Sequence, residues 1–467
     1  MSTGAPSLAA ALETVAASLP KRFLQACAGR PAQRIVRVER PVDLPRHLLG
    51  LLAGTSPGVR HYWRDRRGHF EAVGLGAAAT FAGRPGLTIP AVLRLLADAD
   101  DAVRIYGGTA FAPSSAEVAA EGAWEAFGPS WFVLPLVEFR HENGHAFVAL
   151  QGLPEGPETP ESLARDAADT LHAVARACDA ASSGEPASRA FHVTQRTDAP
   201  DYDGWCRMVR RALDRIRSDA FAKVVLARET RFRLDAAPDP FEIARRLSAT
   251  ATHAYQFCLQ PREGCAFVGA SPEQLYRRRG AMLRTEAVAG TRPRGASKAE
   301  DAAFAQALLR SGKDRREHGF VADAILGVLG EAGATIVNKD DVSVLPLPTC
   351  QHLYQPIKAA LPGNLSDADL LHRLHPTPAV GGFPSAESIR AIAELEPFER
   401  GWYAGPVGWI ARRSAEFAVA IRSGLVTGDV VTVLSGAGIV DGSVPDDEWR
   451  EIETKMTAFL SVLAGAT

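Results

Sequence analysis

The stretch "LSGAGIVDGSVPDDEWREIETKM" brings glycines, acids and a lysine together at spacings that could do chemistry. The β-branched run Val430, Val431, Thr432, Val433 leads into Gly436 and Gly438, read here as a glycine turn. A helix opened by Asp446, Asp447, Glu448 and Glu451 follows. Gly-Ala-Gly after a strand resembles the start of a dinucleotide fingerprint, but the third glycine, Gly442, arrives one residue late. The acids would also place negative charge where a pyrophosphate needs the positive end of a helix. A carboxylate ligand fits better. Glycine N–H groups and Lys455 would hold it, and Mg2+ would bridge it to Glu448 and Glu451, which at i and i+3 share a helical face.

A second acidic pair with the same spacing, Asp314 and Glu317, lies in the amphipathic "GKDRREHGFVADAILGVL". One such pair reads as a solvated face. Two such pairs would supply enough oxygen ligands for Mg2+, which takes few carboxylates and keeps several waters, and a desolvated lysine beside them weighs further against a solvated face. That lysine is Lys223 in "FAKVVLARE", where strand alternation gives it the same face as Phe221 and Val225. Desolvation there would free the amine as a base, whereas on an edge strand the lysine would only guard against aggregation. In "FVGASPEQLYRR", Glu273 follows a Gly-Ala-Ser-Pro turn, either overhanging a cleft as a general acid or facing water. "LRTEAVAGTRPRG" offers Gly290 and Thr291, in a further glycine turn, for close backbone approach to a ligand, with Glu286 behind them. Tyr403 and Arg422 flank strands near the C-terminal glycines, and an arginine closing the run Val419, Ala420, Ile421 suits a carboxylate or phosphate. His318, His352 and His375 lack the HExxH spacing of a zinc hydrolase and read as hydrogen-bonded structural residues.

These residues need a sheet-rich frame. Residues 60–150 carry strand text separated by glycine, proline and polar turns. Residues 153–203 shift to Pro, Glu, Ala and Ser, with a helix in "PESLARDAADTLHAVARACDAASSGEP" whose tail reads as an exposed loop. The expected organisation is an N-terminal sheet-rich part over 1–200 ending in that linker, and a catalytic part over 201–467. Strands interspersed with helices, without regular βαβ alternation, point to an α+β class: antiparallel sheets with helices packed outside. The 467 residues are 46% hydrophobic and 23% charged, which excludes disorder and fibre. A net charge of -2 gives no footprint for nucleic acid or an anionic membrane, and no apolar run is long enough for a bilayer. The N-terminus reads as a poor secretory signal, because it has no basic n-region and has Glu13 within its apolar stretch. Six cysteines without a CxxC pair argue against a zinc site or disulfide framework. A cytoplasmic protein acting on a small molecule is expected.

From about residue 60 to the end, "YGGTAF", "FGPSWFVLP", "AKVVLAR", "GASPE", "DRREH", "HPTPAVGGFP" and "EWREIETK" follow in an order that resembles the chorismate-utilising enzymes. The closest likeness is to the isochorismate synthases of menaquinone, siderophore and salicylate pathways. The resemblance implies the chorismate-binding, anthranilate synthase component I-like fold, with a deep cleft between sheet core and helices. It implies that Lys223 is the base activating water and Glu273 the general acid. Mg2+ would be the cofactor, held by Glu317 and Glu451 with Asp314 and Glu448 as companions. The metal would grip the ring carboxylate of chorismate, with Gly290 and Thr291 lining that side. Tyr403, Arg422, Lys455 and the amides of Gly436 and Gly438 would hold the enolpyruvyl carboxylate. Ala379, where ammonia users tend to carry threonine, favours water as nucleophile. A salicylate synthase that also eliminates pyruvate is the alternative, and an ammonia-using chorismate enzyme is a further one. No tryptophan-binding motif is evident, so neither feedback by tryptophan nor a glutaminase subunit is expected, and the chain is expected to be a monomer or weak dimer.

Overall fold

"KVVLARETRFRL" forms the strand Lys223–Leu234, and its burial shows how deep the sheet lies. The first eight residues are buried throughout. Alternation appears only at the end, where exposed Arg231 and Arg233 bracket buried Phe232. Strand Val430–Val440 pairs along its full length, while Val193–Ala199 and Gly382–Phe383 occupy the other edge. Lys223 is therefore interior, which overturns the edge-strand alternative. The computed structural model describes residues 7–28, 34–52, 58–112, 122–154, 156–182, 191–251, 253–347 and 350–463. The tail expected after the helix Pro160–Ser182 lies outside these residues.

Every strand pairing described is antiparallel, and the network branches at Ser130–Glu142. One arm runs from Phe70–Ala82 through Arg60–Arg64, Tyr255–Arg262, Cys265–Ser271, Ser423–Thr427 and Val430–Val440 to Lys223–Leu234. The other runs from Ile105–Thr109 through Pro406–Ile410, Ser414–Val419, Gln274–Arg279 and Met282–Pro293 to Cys350–Ala360. Strands before residue 200 thus pair directly with strands after it. The helices lie against this frame, Gly312–Glu331 on strand Met282–Pro293 and the C-terminal Pro445–Leu463 on strand Val430–Val440. The fold is α+β, as expected. One hydrophobic core runs from Leu12 and Phe23 in the first helix to Ile452 and Phe459 in the last. Among the described residues no helix is long and apolar enough to cross a membrane.

Candidate active site

One cavity collects all fourteen site residues inferred above, from Lys223 and Glu273 to the acids of both helices. Lys223 is 1% exposed, and its Nζ lies 2.9 Å from Glu317 Oε1. A Cβ at Gly438 would sit 2.8 Å from that oxygen and 3.1 Å from Lys223 Cε, so any side chain there would wedge the pair apart. Similarly, the Tyr403 hydroxyl lies 3.2 Å from where a Cβ at Gly436 would be.

The glycine turn expected at Gly436 and Gly438 is instead strand. Both pair in register, with Ala227 and Val225, and the chain turns only after Val440, where Gly442 has φ +84°. These glycines make room for side chains. Sequence spacing cannot separate that role from a turn, because long-range pairing decides it. Their amides still face usefully. A strand residue's N–H and C=O leave by the same edge, and Gly436 O accepts from Lys455 Nζ at 2.9 Å. Gly436 and, two residues on, Gly438 therefore present N–H groups on the edge away from strand Lys223–Leu234. The turn expected at Gly290 and Thr291 is likewise a bulge inside strand Met282–Pro293. Gly290, at φ +74°, lets helix Gly312–Glu331 approach closely, since a Cβ there would lie 3.1 Å from Asp314 Cβ.

Glu273 is buried between two strands, and its backbone O accepts from Val419 N at 3.1 Å. Burial first, and then the nearby charge of Glu286, push its carboxyl up to about 8, so it keeps its proton at neutral pH. An element the sequence did not reveal braces it. Arg66, from the first half of the chain, forms a bidentate pair with Glu286 at 2.7 Å and donates to Pro272 O at 2.7 Å. Glu286 Oε1 also accepts from Gln274 N at 2.9 Å, clamping the Glu273 loop from both sides. No local signal links positions 220 residues apart.

At the opposite arm, Lys455 Nζ bridges Glu451 at 2.6 Å and Gly436 O at 2.9 Å. Burial opposes charge on both side chains of this pair, but their attraction outweighs it. The Lys455 ammonium is raised and the Glu451 carboxyl lowered. Arg422 and Ala404, both lining the cavity, are non-glycine residues at φ +53° and +62°. Such backbone costs roughly 1–3 kcal/mol per residue and persists where the surrounding structure over-determines it. Arg422 Nη1 donates to Lys455 O at 3.4 Å.

Three of the four carboxylates lie beside lysines, and only the Glu451–Lys455 contact is local in sequence. Glu317 meets Lys223, Glu451 meets Lys455, and Glu448 lies 3.6 Å from Lys313, a cavity lysine the sequence reading did not single out. Asp314 stands apart, bound to Arg292 at 2.6 Å. Among the described residues no three acidic, histidine or cysteine side chains converge into a closed metal-binding group. Mg2+ does not need one, because a single carboxylate or two suffice when water and substrate complete its shell. Burial and then the neighbouring Glu451 charge push Glu448 up to about 7. The second cause is like-charge crowding, which a divalent cation would relieve, and carboxylate oxygens of this kind are donors that suit Mg2+.

The family described as "Chorismate binding enzyme" matches residues 22–464. Isochorismate synthase 2, chloroplastic, of Arabidopsis thaliana is 35% identical over 377 residues, covering 80% of this chain and 66% of the plant protein, just under two thirds of its length. Isochorismate synthase MenF of Escherichia coli (strain K12) is 31% identical, with 97% and 99% covered. The solved structure of MenF, the menaquinone-specific isochorismate synthase from Escherichia coli, superposes with a TM-score of 0.81 at 29% identity, covering 96% of this chain and 99% of that one. With its fold, its cavity and these relatives in agreement, the chain belongs to the chorismate-binding enzyme family.

Proposed function

We propose that this enzyme is an isomerase, an isochorismate synthase converting chorismate to isochorismate with Mg2+. The observation that carries the reading is the pairing, in one cavity, of a buried lysine with a carboxyl that stays protonated to about pH 8. Water attack at C2 with departure of the C4 hydroxyl needs one group to take a proton and another to give one. Lys223 accepts the proton of the attacking water, and Glu273 donates its own to the C4 oxygen, which leaves as water. One water enters and one leaves, so substrate and product are isomers. To act as a base Lys223 must present its free amine, whose N–H can still donate to Glu317 across the 2.9 Å between them.

Arg422, Lys455 and the Gly436 and Gly438 amides form the end of the cavity suited to the enolpyruvyl carboxylate, with Tyr403 beside them. Gly290 and Thr291 line the ring-carboxylate side. Glu317 and Glu451, with Glu448 adjacent and Asp314 behind, would hold Mg2+, which would supply positive charge against that ring carboxylate. Asp314 acts on this site through the fold of its helix, because Arg292 occupies its oxygens. Ala379 adds no hydroxyl to the cavity wall, consistent with water as nucleophile. Incubation with chorismate and Mg2+, resolving isochorismate, salicylate, pyruvate and aminated products, tests the assignment. Isochorismate as the dominant product supports it, and stoichiometric pyruvate with salicylate would make the chain a salicylate synthase.

A further inference from the structure

Behind the carboxylate end of the cavity, Cys350 and His352, which the proposed reaction does not use, contact Arg422, which it does. Cys350 opens strand Cys350–Ala360, is 2% exposed and forms no disulfide. Its Sγ lies 3.3 Å from His352 Nε2 and accepts from Arg422 Nη2 at 3.6 Å. His352 and Arg422 line the cavity, and Cys350 sits one layer behind them.

His352 Nδ1 lies 3.1 Å from Gly290 O, to which it donates when it carries the hydrogen, because a carbonyl can only accept. Thr291 Oγ1, 3.2 Å away, shares the same nitrogen. A single proton lies between Nε2 and Sγ, and with it on Nε2 the ring is a cation donating to a thiolate. The sulfur's remaining lone pairs face Arg422. Burial alone would raise the thiol. The charge and hydrogen bond of His352, with those of Arg422, reverse this and bring it to about 6. The other charged groups nearby are Arg294, just past the end of strand Met282–Pro293, and Glu451 of the C-terminal helix, which faces His352. Among the described residues the Arg422 guanidinium has two hydrogen-bonded anchors, Lys455 O and this sulfur.

We propose that Cys350 is a positioning residue. Its sulfur ties Arg422 and His352 into one unit, so that the guanidinium meets a substrate carboxylate already oriented. The inference rests on the reading that Arg422 receives such a carboxylate.

Valine at this position fills the space without a polar atom, while serine keeps a donor and an acceptor. Cys350→Val is expected to raise KM for chorismate on the order of tenfold with kcat within about twofold, because an oriented arginine serves ground state and transition state alike. Cys350→Ser is expected to recover most of the loss. An unchanged KM in Cys350→Val, or a fall in kcat at unchanged KM, overturns the proposal. Cys350→Ala replaces valine if the latter does not fold. Arg422→Ala run alongside separates the two readings. If it raises KM while Cys350→Val does not, only the role of Cys350 fails; if neither variant raises KM, the carboxylate assignment of Arg422 fails first.

Discussion

Replacing Glu273 with glutamine keeps the shape of the side chain and removes its titration, which separates its chemistry from its packing. In the folded chain the carboxyl is pushed up to about 8 by burial and by Glu286, against a reference value of 4.5. A carboxyl whose value is raised by folding stabilises the fold fully below its unfolded value. That contribution is lost as pH rises towards the folded value, because over this window the native state binds more protons than the unfolded one. At about 1.4 kcal/mol per pH unit, the loss between pH 4.5 and 8 is on the order of 4 kcal/mol. Glutamine has no such slope. Urea unfolding of wild type and Glu273→Gln from pH 5 to 9 is therefore expected to show wild type losing ground to the variant as pH rises, with the difference flattening above pH 8. Turnover runs the other way. Wild-type kcat/KM is expected to fall above about pH 8 as the acid deprotonates, while Glu273→Gln loses about 10²–10⁴-fold at every pH. A stability difference that does not change with pH, together with near-normal turnover in the variant, would refute both the buried protonated carboxyl and its role as acid.

Lys223→Ala is expected to lower isochorismate formation by about 10²–10⁴-fold with chorismate binding largely retained, and near-normal turnover would remove Lys223 from the mechanism. Glu317→Gln and Glu451→Gln, each losing one anionic oxygen, are expected to raise the Mg2+ concentration needed for half-maximal rate; an unchanged titration in both would sink the metal assignment. Ala379→Thr is expected to lower isochorismate production and, with high ammonium at alkaline pH, to yield some aminated product. An earlier melt with only less isochorismate would mean overpacking, at a typical cost of about 1–3 kcal/mol. Arg66→Ala is expected to destabilise the chain by roughly 3–5 kcal/mol, since it leaves Glu286 buried and unpaired, and unchanged stability would show that the clamp on the Glu273 loop is dispensable.

What the sequence made legible was local. Acids three apart on two helices, and a lysine between apolar neighbours on a strand, follow from backbone periodicity alone, and the structure brings them to one cavity. Gly436 and Gly438 read as a turn in the sequence because glycine lowers strand propensity locally. The partner strand Lys223–Leu234, which holds them extended, lies two hundred residues earlier in the chain. The Arg66–Glu286 clamp and the contact of Arg422 with Cys350 have no periodic signature, because each joins segments that only the branching sheet makes neighbours. The edge-strand alternative for Lys223 could be removed only by seeing both of its neighbours.

Conversion of chorismate in heavy-oxygen water with Mg2+, followed by mass analysis of the product, tests the account at its centre. If Lys223 activates a solvent water that attacks C2 while Glu273 expels the C4 hydroxyl, isochorismate is the dominant product and carries a single heavy oxygen at C2. Unlabelled isochorismate would contradict attack by solvent water, and a product other than isochorismate would contradict the assigned reaction.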